Sequence, residues 1–110
     1  MTIYYLYILY APKSDKYYIG QTSDLNARLK DHNEGERPNQ KKKFTYKYRP
    51  WELALAIPMA ATRAEAMRIE KFVKSKKSRA FIQQLVQAKE DEEKIALLLR
   101  VPIQMIGIHQ

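Results

Sequence analysis

The sequence contains no cysteine, only three glycines, and no apolar run approaching the ~20 residues that a membrane-spanning helix needs. Without cysteine there can be no disulfide, no thiolate metal site and no cysteine nucleophile, a composition compatible with a reducing cytoplasm. The N-terminus lacks the basic flank and small-residue cleavage pattern of a secretory signal, so a cytoplasmic location without membrane association is expected. Acidic residues are also in short supply. Lys plus Arg number 20 against 12 Asp plus Glu, a formal charge of +8. Residues 88–110 hold three basic and four acidic residues, which leaves +9 on residues 1–87. A small domain with that surplus is expected to meet a polyanion, nucleic acid first; a merely solubilising surface is the plainer alternative.

What the chain has in abundance is tyrosine, and in one place. Six of its eight tyrosines lie within the first eighteen residues. Ile3 to Tyr10 is aromatic and β-branched without a breaker and reads as a strand long enough to be central and buried on both faces. Pro12 to Lys16 reads as a turn, and Tyr17 to Thr22 as the second strand of an antiparallel hairpin. Gly20 marks a point where the backbone needs close approach or an unusual dihedral. Ser23 is the expected cap of a helix from about Asp24 to Asn33. The polar, basic stretch from Glu34 to Tyr48 reads as an exposed loop, and Trp51 to Ile57 as a third strand ended by Pro58. Thr62-Arg63-Ala64-Glu65 is a capping box that opens a helix running to about Ser75. Ser78 caps a further helix with Phe81, Ile82, Leu85 and Val86 on one face, and Asp91 to Arg100 forms the last. The sum is an α+β domain: a small three-stranded antiparallel sheet flanked by helices over residues 1–87, followed by a C-terminal helical extension and apolar tail over residues 88–110.

Three residues break the patterns they sit in. Leu25, Arg28, Leu29 and His32 occupy the i, i+3, i+4, i+7 positions that a helix normally gives to its core, yet two of them are polar. Ala66, Ile69, Glu70 and Val73 repeat the arrangement with a carboxylate inside the apolar set. A carboxylate facing a core is costly unless it is paired, protonated or bound to a cation. Glu70 therefore reads either as a partner of Arg63, Lys71 or Lys74, or as a metal ligand or general base. A lone glutamate suits Mg²⁺, which prefers one or two carboxylates together with water and substrate phosphate. Arg28 and His32 read either as side chains snorkelling at a stripe margin or as site residues. Three such departures in one small basic domain favour a site.

Tyr5-Leu6-Tyr7, then Tyr18-Ile19-Gly20, Asp24-Leu25-x-x-Arg28-Leu29-x-x-His32 and Thr62-Arg63-x-Glu65-Ala66-x-x-x-Glu70-Lys71 together resemble the GIY-YIG nuclease superfamily. The likeness is to its small stand-alone members, similar to the nuclease domain of the bacterial excision-repair endonuclease, and it covers about residues 3–87. It implies that Tyr7, Tyr18, Arg28 and His32 surround a scissile phosphate and that Glu70 holds one divalent metal, Mg²⁺ or Mn²⁺. The second-motif tyrosine, Tyr18, is then the residue that activates the attacking water. The implied activity is hydrolysis of DNA phosphodiesters, with RNA as a further possible substrate, in repair or recombination. The alternative is a module of the same fold that binds nucleic acid with little or no cleavage. Three positions depart from the family pattern: the first-motif glycine is replaced by Tyr5, Gln21 stands where a lysine often follows the second motif, and no late asparagine is evident from Ser78 to Gln87.

The partner so implied gives the basic segments a place. Gly20, Gln21, Lys41, Lys42, Lys43 and Tyr46, with Lys74, Lys76 and Lys77, are the expected nucleic-acid contacts, mixing phosphate-binding cations with an aromatic ring for stacking. The apolar run from Val101 to Ile108 suggests a homodimer formed through the C-terminal tail.

Overall fold

The computed structural model describes residues 2–35 and 44–107. Strand β1 (Tyr4–Ala11) turns back into β2 (Lys16–Thr22), which leads into helix α1 (Leu25–Glu34). A single helical turn, α2 (Phe44–Lys47), precedes β3 (Glu52–Met59). Helices α3 (Arg63–Ser75), α4 (Arg79–Gln87) and α5 (Glu92–Leu99) follow, with a closing 3-10 turn at Ile103–Met105. The sheet order is β2-β1-β3, antiparallel throughout, so the tyrosine-rich first strand is central as expected. No described helix is long and apolar enough to cross a membrane.

Period-two alternation along β1 divides the sheet into two unlike faces. Leu6 and Ile8 point into a large apolar cluster with Leu55, Ile57 and Met59 of β3, closed by Ala66, Ile69 and Val73 of α3, Leu85 of α4 and Ile95 and Leu99 of α5. Tyr7, Leu9 and Ala11 point the other way, into a smaller cluster with Trp51, against which Tyr18, Leu25 and Leu29 pack. Helices α3, α4 and α5 thus cover one face and α1 and α2 the other.

The local signals explain most element ends. Thr62 and Glu65 exchange their capping hydrogen bonds at 3.2 and 2.9 Å, and the Ser78 hydroxyl accepts from the Phe81 N–H. Helix α1 is capped one residue later than expected: Asp24, not Ser23, accepts from the Ala27 N–H at 3.0 Å, while the Asp24 N–H is itself held by the Thr22 hydroxyl. Pro58 does not end β3 but lies within it. The strand is an edge, and the Pro58 carbonyl accepts from the Gly107 N–H at 2.7 Å on the side away from β1. The two backbone polar groups of a strand residue point to the same side, so the N–H that proline lacks is not needed by the β1 ladder.

Gly107 belongs to the apolar tail, and the tail packs on its own chain, so its place gives the expected homodimer no support. Ile106 forms a β-bridge with Met59 and is 1% exposed within the main apolar cluster. Ile106 thus covers this chain's own sheet edge.

Candidate active site

The aromatic face of the sheet carries the residues singled out in the sequence. Tyr7 and Gly20 are directly opposite in the β1–β2 ladder. A Cβ at Gly20 would stand 2.4 Å from the Tyr7 phenolic oxygen. The glycine is therefore required by close approach: its missing side chain is the space that the Tyr7 hydroxyl occupies. Across the face, α1 turns His32 inward, and the Tyr7 hydroxyl meets His32 Nε2 at 3.0 Å. Both residues are buried. Tyr18, two residues before Gly20, presents its ring to His32 at 4.9 Å between centroids and to Tyr7 at 6.4 Å.

Burial pushes the Tyr7 phenol well above its ordinary range. Tyr18, Glu70 and Asp31 add to the shift, and the positive charge of Arg28 opposes it. Tyr7 is thus held protonated, and the Tyr7–His32 contact joins a neutral phenol to an imidazole.

Arg28 lies one turn before His32 on α1. It is exposed, so its charge is at the surface and not in the stripe with the half-buried Leu25 and Leu29. With Tyr18, Asp31, His32, Phe44, Thr45, Tyr46 and Arg49 it lines a cleft of about 350 Å³. Tyr18, Arg28 and His32 thus open onto one cleft, while Tyr7 stands behind them.

Glu70 approaches from the other side. Helix α3 gives Ala66, Ile69 and Val73 to the apolar cluster, yet the Lys74 ammonium on the same helix sits 5.7 Å from the centre of the Tyr18 ring. Lys74 is paired with Glu70 at 2.7 Å, and the Glu70 side chain keeps 23% of its exposure. Among the described residues no group of three or more His, Asp or Glu side chains converges to hold a metal. Glu70 offers one partly exposed carboxylate, a donor set that fits an ion such as Mg²⁺ that keeps water and takes phosphate oxygens.

The expected nucleic-acid contacts divide. Gly20 lies against Tyr7, and Gln21 is half-buried with its Oε1 lacking a hydrogen-bond partner among the described residues. Tyr46 is half-buried in the cleft, with the Arg49 guanidinium 4.4 Å from its ring centre. Lys74 is engaged by Glu70, Lys76 lies over the Phe72 and Phe81 rings, and Lys77 adopts a left-handed backbone after α3. Lys41, Lys42 and Lys43 fall outside the described residues.

The stretch expected to be an exposed loop supplies a wall of the site. Thr45 is buried, and its carbonyl accepts from the Trp51 indole N–H at 2.7 Å. Asn33, at the end of α1, exchanges two hydrogen bonds with the Trp51 backbone, at 2.7 and 3.0 Å. Arg49 donates to the carbonyls of His32 and Gly35 and so ties α2 to the end of α1. Sequence reasoning passed over Asn33, Thr45, Arg49 and Trp51. The signal available was the chain's one tryptophan, two residues after Arg49 and close to Phe44, Tyr46 and Tyr48.

Comparison with known proteins places this geometry. The family profile for the GIY-YIG catalytic domain matches residues 3–84. The chain belongs to the GIY-YIG family. It is also 36% identical over 81 residues to the UPF0213 protein YazA of Bacillus subtilis (strain 168), covering 71% of this chain and 77% of that protein. No solved structure gives a significant match. GIY-YIG domains are generally endonucleases that use divalent metal ions, and the three-stranded antiparallel sheet flanked by helices is the fold expected for a member.

Proposed function

We propose that the chain is a divalent-metal-dependent endonuclease that hydrolyses DNA phosphodiester bonds at particular DNA structures, in the cytoplasm, during repair or recombination. The observation that carries this reading is the convergence of Tyr18, Arg28 and His32 on one cleft, with Tyr7 hydrogen-bonded behind His32. Phosphoryl transfer needs positioning and electrostatic stabilisation more than covalent chemistry, and these residues supply both. Arg28 meets the phosphate oxygens with a fork of N–H donors. Tyr18 takes the proton of the attacking water. Arg28 lines the same cleft and the Lys74 ammonium sits beside the Tyr18 ring. Tyr7, held protonated, donates its hydroxyl to His32 Nε2 and fixes the imidazole's orientation. His32 in turn holds the Tyr18 ring in place by the edge-on contact between them.

Glu70 is the residue that would hold Mg²⁺ or Mn²⁺, and the bound ion would supply Lewis-acid stabilisation of the phosphate charge. Lys74 does not block this role. An i, i+4 surface pair is worth only about 0.3–0.5 kcal/mol, so a divalent ion can displace the lysine. Lys76 and Lys77 add positive charge for the DNA backbone, and Lys41, Lys42 and Lys43, outside the described residues, are proposed as contacts from their charge alone. The reaction is assigned to residues 1–87, with residues 88–110 as a structural extension. That division is supported by Ala88, Ile95, Ala96, Leu99 and Ile106 all belonging to the cluster on the sheet face away from the cleft.

The second reading, binding without cleavage, has its support in Gln21 standing where a lysine often follows the second motif. The deciding experiment incubates labelled branched, single-stranded and duplex DNA with Mg²⁺ or Mn²⁺, wild type beside Arg28→Ala and Glu70→Ala. Cleavage by wild type, reduced about 10²–10³-fold by Arg28→Ala, is the expected result. Salt-sensitive gel shifts with no cleavage would instead establish the second reading.

A further inference from the structure

Recognition of a backbone phosphate needs donors on a surface. The cleft that Arg28 shares with Tyr18 is more than that, a cavity of about 350 Å³ whose lining includes the rings of Phe44 and Tyr46. Phe44 contacts Tyr48 and Trp51 yet remains 42% exposed, although the buried Trp51 and Thr45 already close the core beside it. Arg49 stacks its guanidinium over the Tyr46 ring at 4.4 Å, and its bonds to the His32 and Gly35 carbonyls fix that plane at the end of α1. Aromatic rings beside an immobilised guanidinium plane are the groups that receive a flat heterocycle. The volume lies at the low end of the ~300–1,000 Å³ typical of small-ligand sites. It suits a single nucleoside and not a duplex, whose major groove alone is about 12 Å wide. A base can enter such a pocket only out of the stack, at least cost when it has no pairing partner.

We propose that this cleft takes the base of an unpaired DNA nucleotide next to the phosphate met by Arg28, stacked on Tyr46 and Phe44 with Arg49 alongside. The inference rests on the nuclease reading above and gives that reading a substrate class. The enzyme acts at nucleotides that are unpaired, and continuous duplex is a poor ligand because its bases cannot reach the pocket.

The test measures binding without turnover, in EDTA, by fluorescence anisotropy. The ligands are a duplex, the same duplex with one unpaired 5-iododeoxyuridine, and the corresponding single strand. Wild type is expected to bind the two unpaired ligands at least 5-fold more tightly than the duplex and, on irradiation, to cross-link through Tyr46 or Phe44, mapped by mass spectrometry. Tyr46→Ala should remove roughly 5-fold to 100-fold of the affinity for unpaired ligands, the range of one base–aromatic stack, and so narrow or abolish their advantage over duplex. Tyr46→Trp should restore it. Thermal melts accompany each variant, and if the alanine variant is unfolded, Tyr46→Leu, which keeps apolar bulk without a π face, takes its place. Equal affinity for all three ligands, a cross-link elsewhere, or a folded Tyr46→Ala with wild-type preference would overturn the pocket while leaving the nuclease reading intact. Failure to bind any of the DNAs would overturn both.

Discussion

The two faces of the sheet use the same strand for opposite ends. On one, Leu6 and Ile8 are fully buried among aliphatic side chains from three helices and from the tail residue Ile106. On the other, Tyr7 and Leu9 are as buried as their neighbours, but the cluster is small, aromatic and polar-edged, ending in the Tyr7–His32 hydrogen bond and an open cleft. The first face needs only volume and water exclusion. The second depends on a few exact fits, Tyr7 above Gly20 and Asn33 against the Trp51 backbone. The larger core thus lies on one face and the candidate site on the other, and substitutions one residue apart in β1 should have effects of different kinds.

The largest expected effect is on the apolar face. Leu6→Ala should cost about 2–5 kcal/mol, read as a lower denaturation midpoint at unchanged slope, because a fully buried leucine leaves a cavity that the surrounding helices cannot close. Activity per folded molecule should be retained. A selective loss of cleavage in the folded variant would break the division between the faces. On the aromatic face, Gly20→Ala should cost about 1–3 kcal/mol by overpacking, since the new methyl meets the Tyr7 hydroxyl. Most of that penalty should vanish in a Tyr7→Ala background. If the two costs simply add, the glycine is there for some reason other than Tyr7.

The smallest effect is one of pH. The Tyr7 phenol is raised in the folded state, so below the unfolded value of about 10 both states hold the proton and its contribution to stability is complete. As pH rises past 10 the unfolded chain releases the proton while the folded chain keeps it, and stability falls by at most about 1.4 kcal/mol per pH unit. Urea melts from pH 8 to pH 11 should show wild type losing stability more steeply than Tyr7→Phe. Parallel curves would mean that the Tyr7 hydroxyl titrates as freely as an exposed one.

These expectations differ in how early they were legible. The central position of β1, the capping box at Thr62, the cap at Ser78 and the odd placement of Arg28, His32 and Glu70 all follow from patterns spanning fewer than a dozen residues. The wall formed by Phe44, Thr45 and Tyr46 does not. Little in that polar stretch signals a helical turn, and its buried carbonyl partner is an indole six residues on. The strand runs through Pro58 for a related reason: proline is a breaker in isolation and acceptable on an edge, and only the sheet order says which strand is the edge.

By itself the sequence determined the α+β order, the alternation that splits β1 between two faces, and the helix positions that carry the apolar core, because periodicity and capping are local. The tertiary structure decided the rest. It set Tyr7 over Gly20 and against His32, brought Lys74 and Glu70 round to Tyr18, turned Phe44, Tyr46 and Arg49 into one side of a cleft, and folded the apolar tail onto Met59. Each of these is a contact between residues distant in the chain, fixed by strand register and helix packing, which no short stretch of sequence encodes alone.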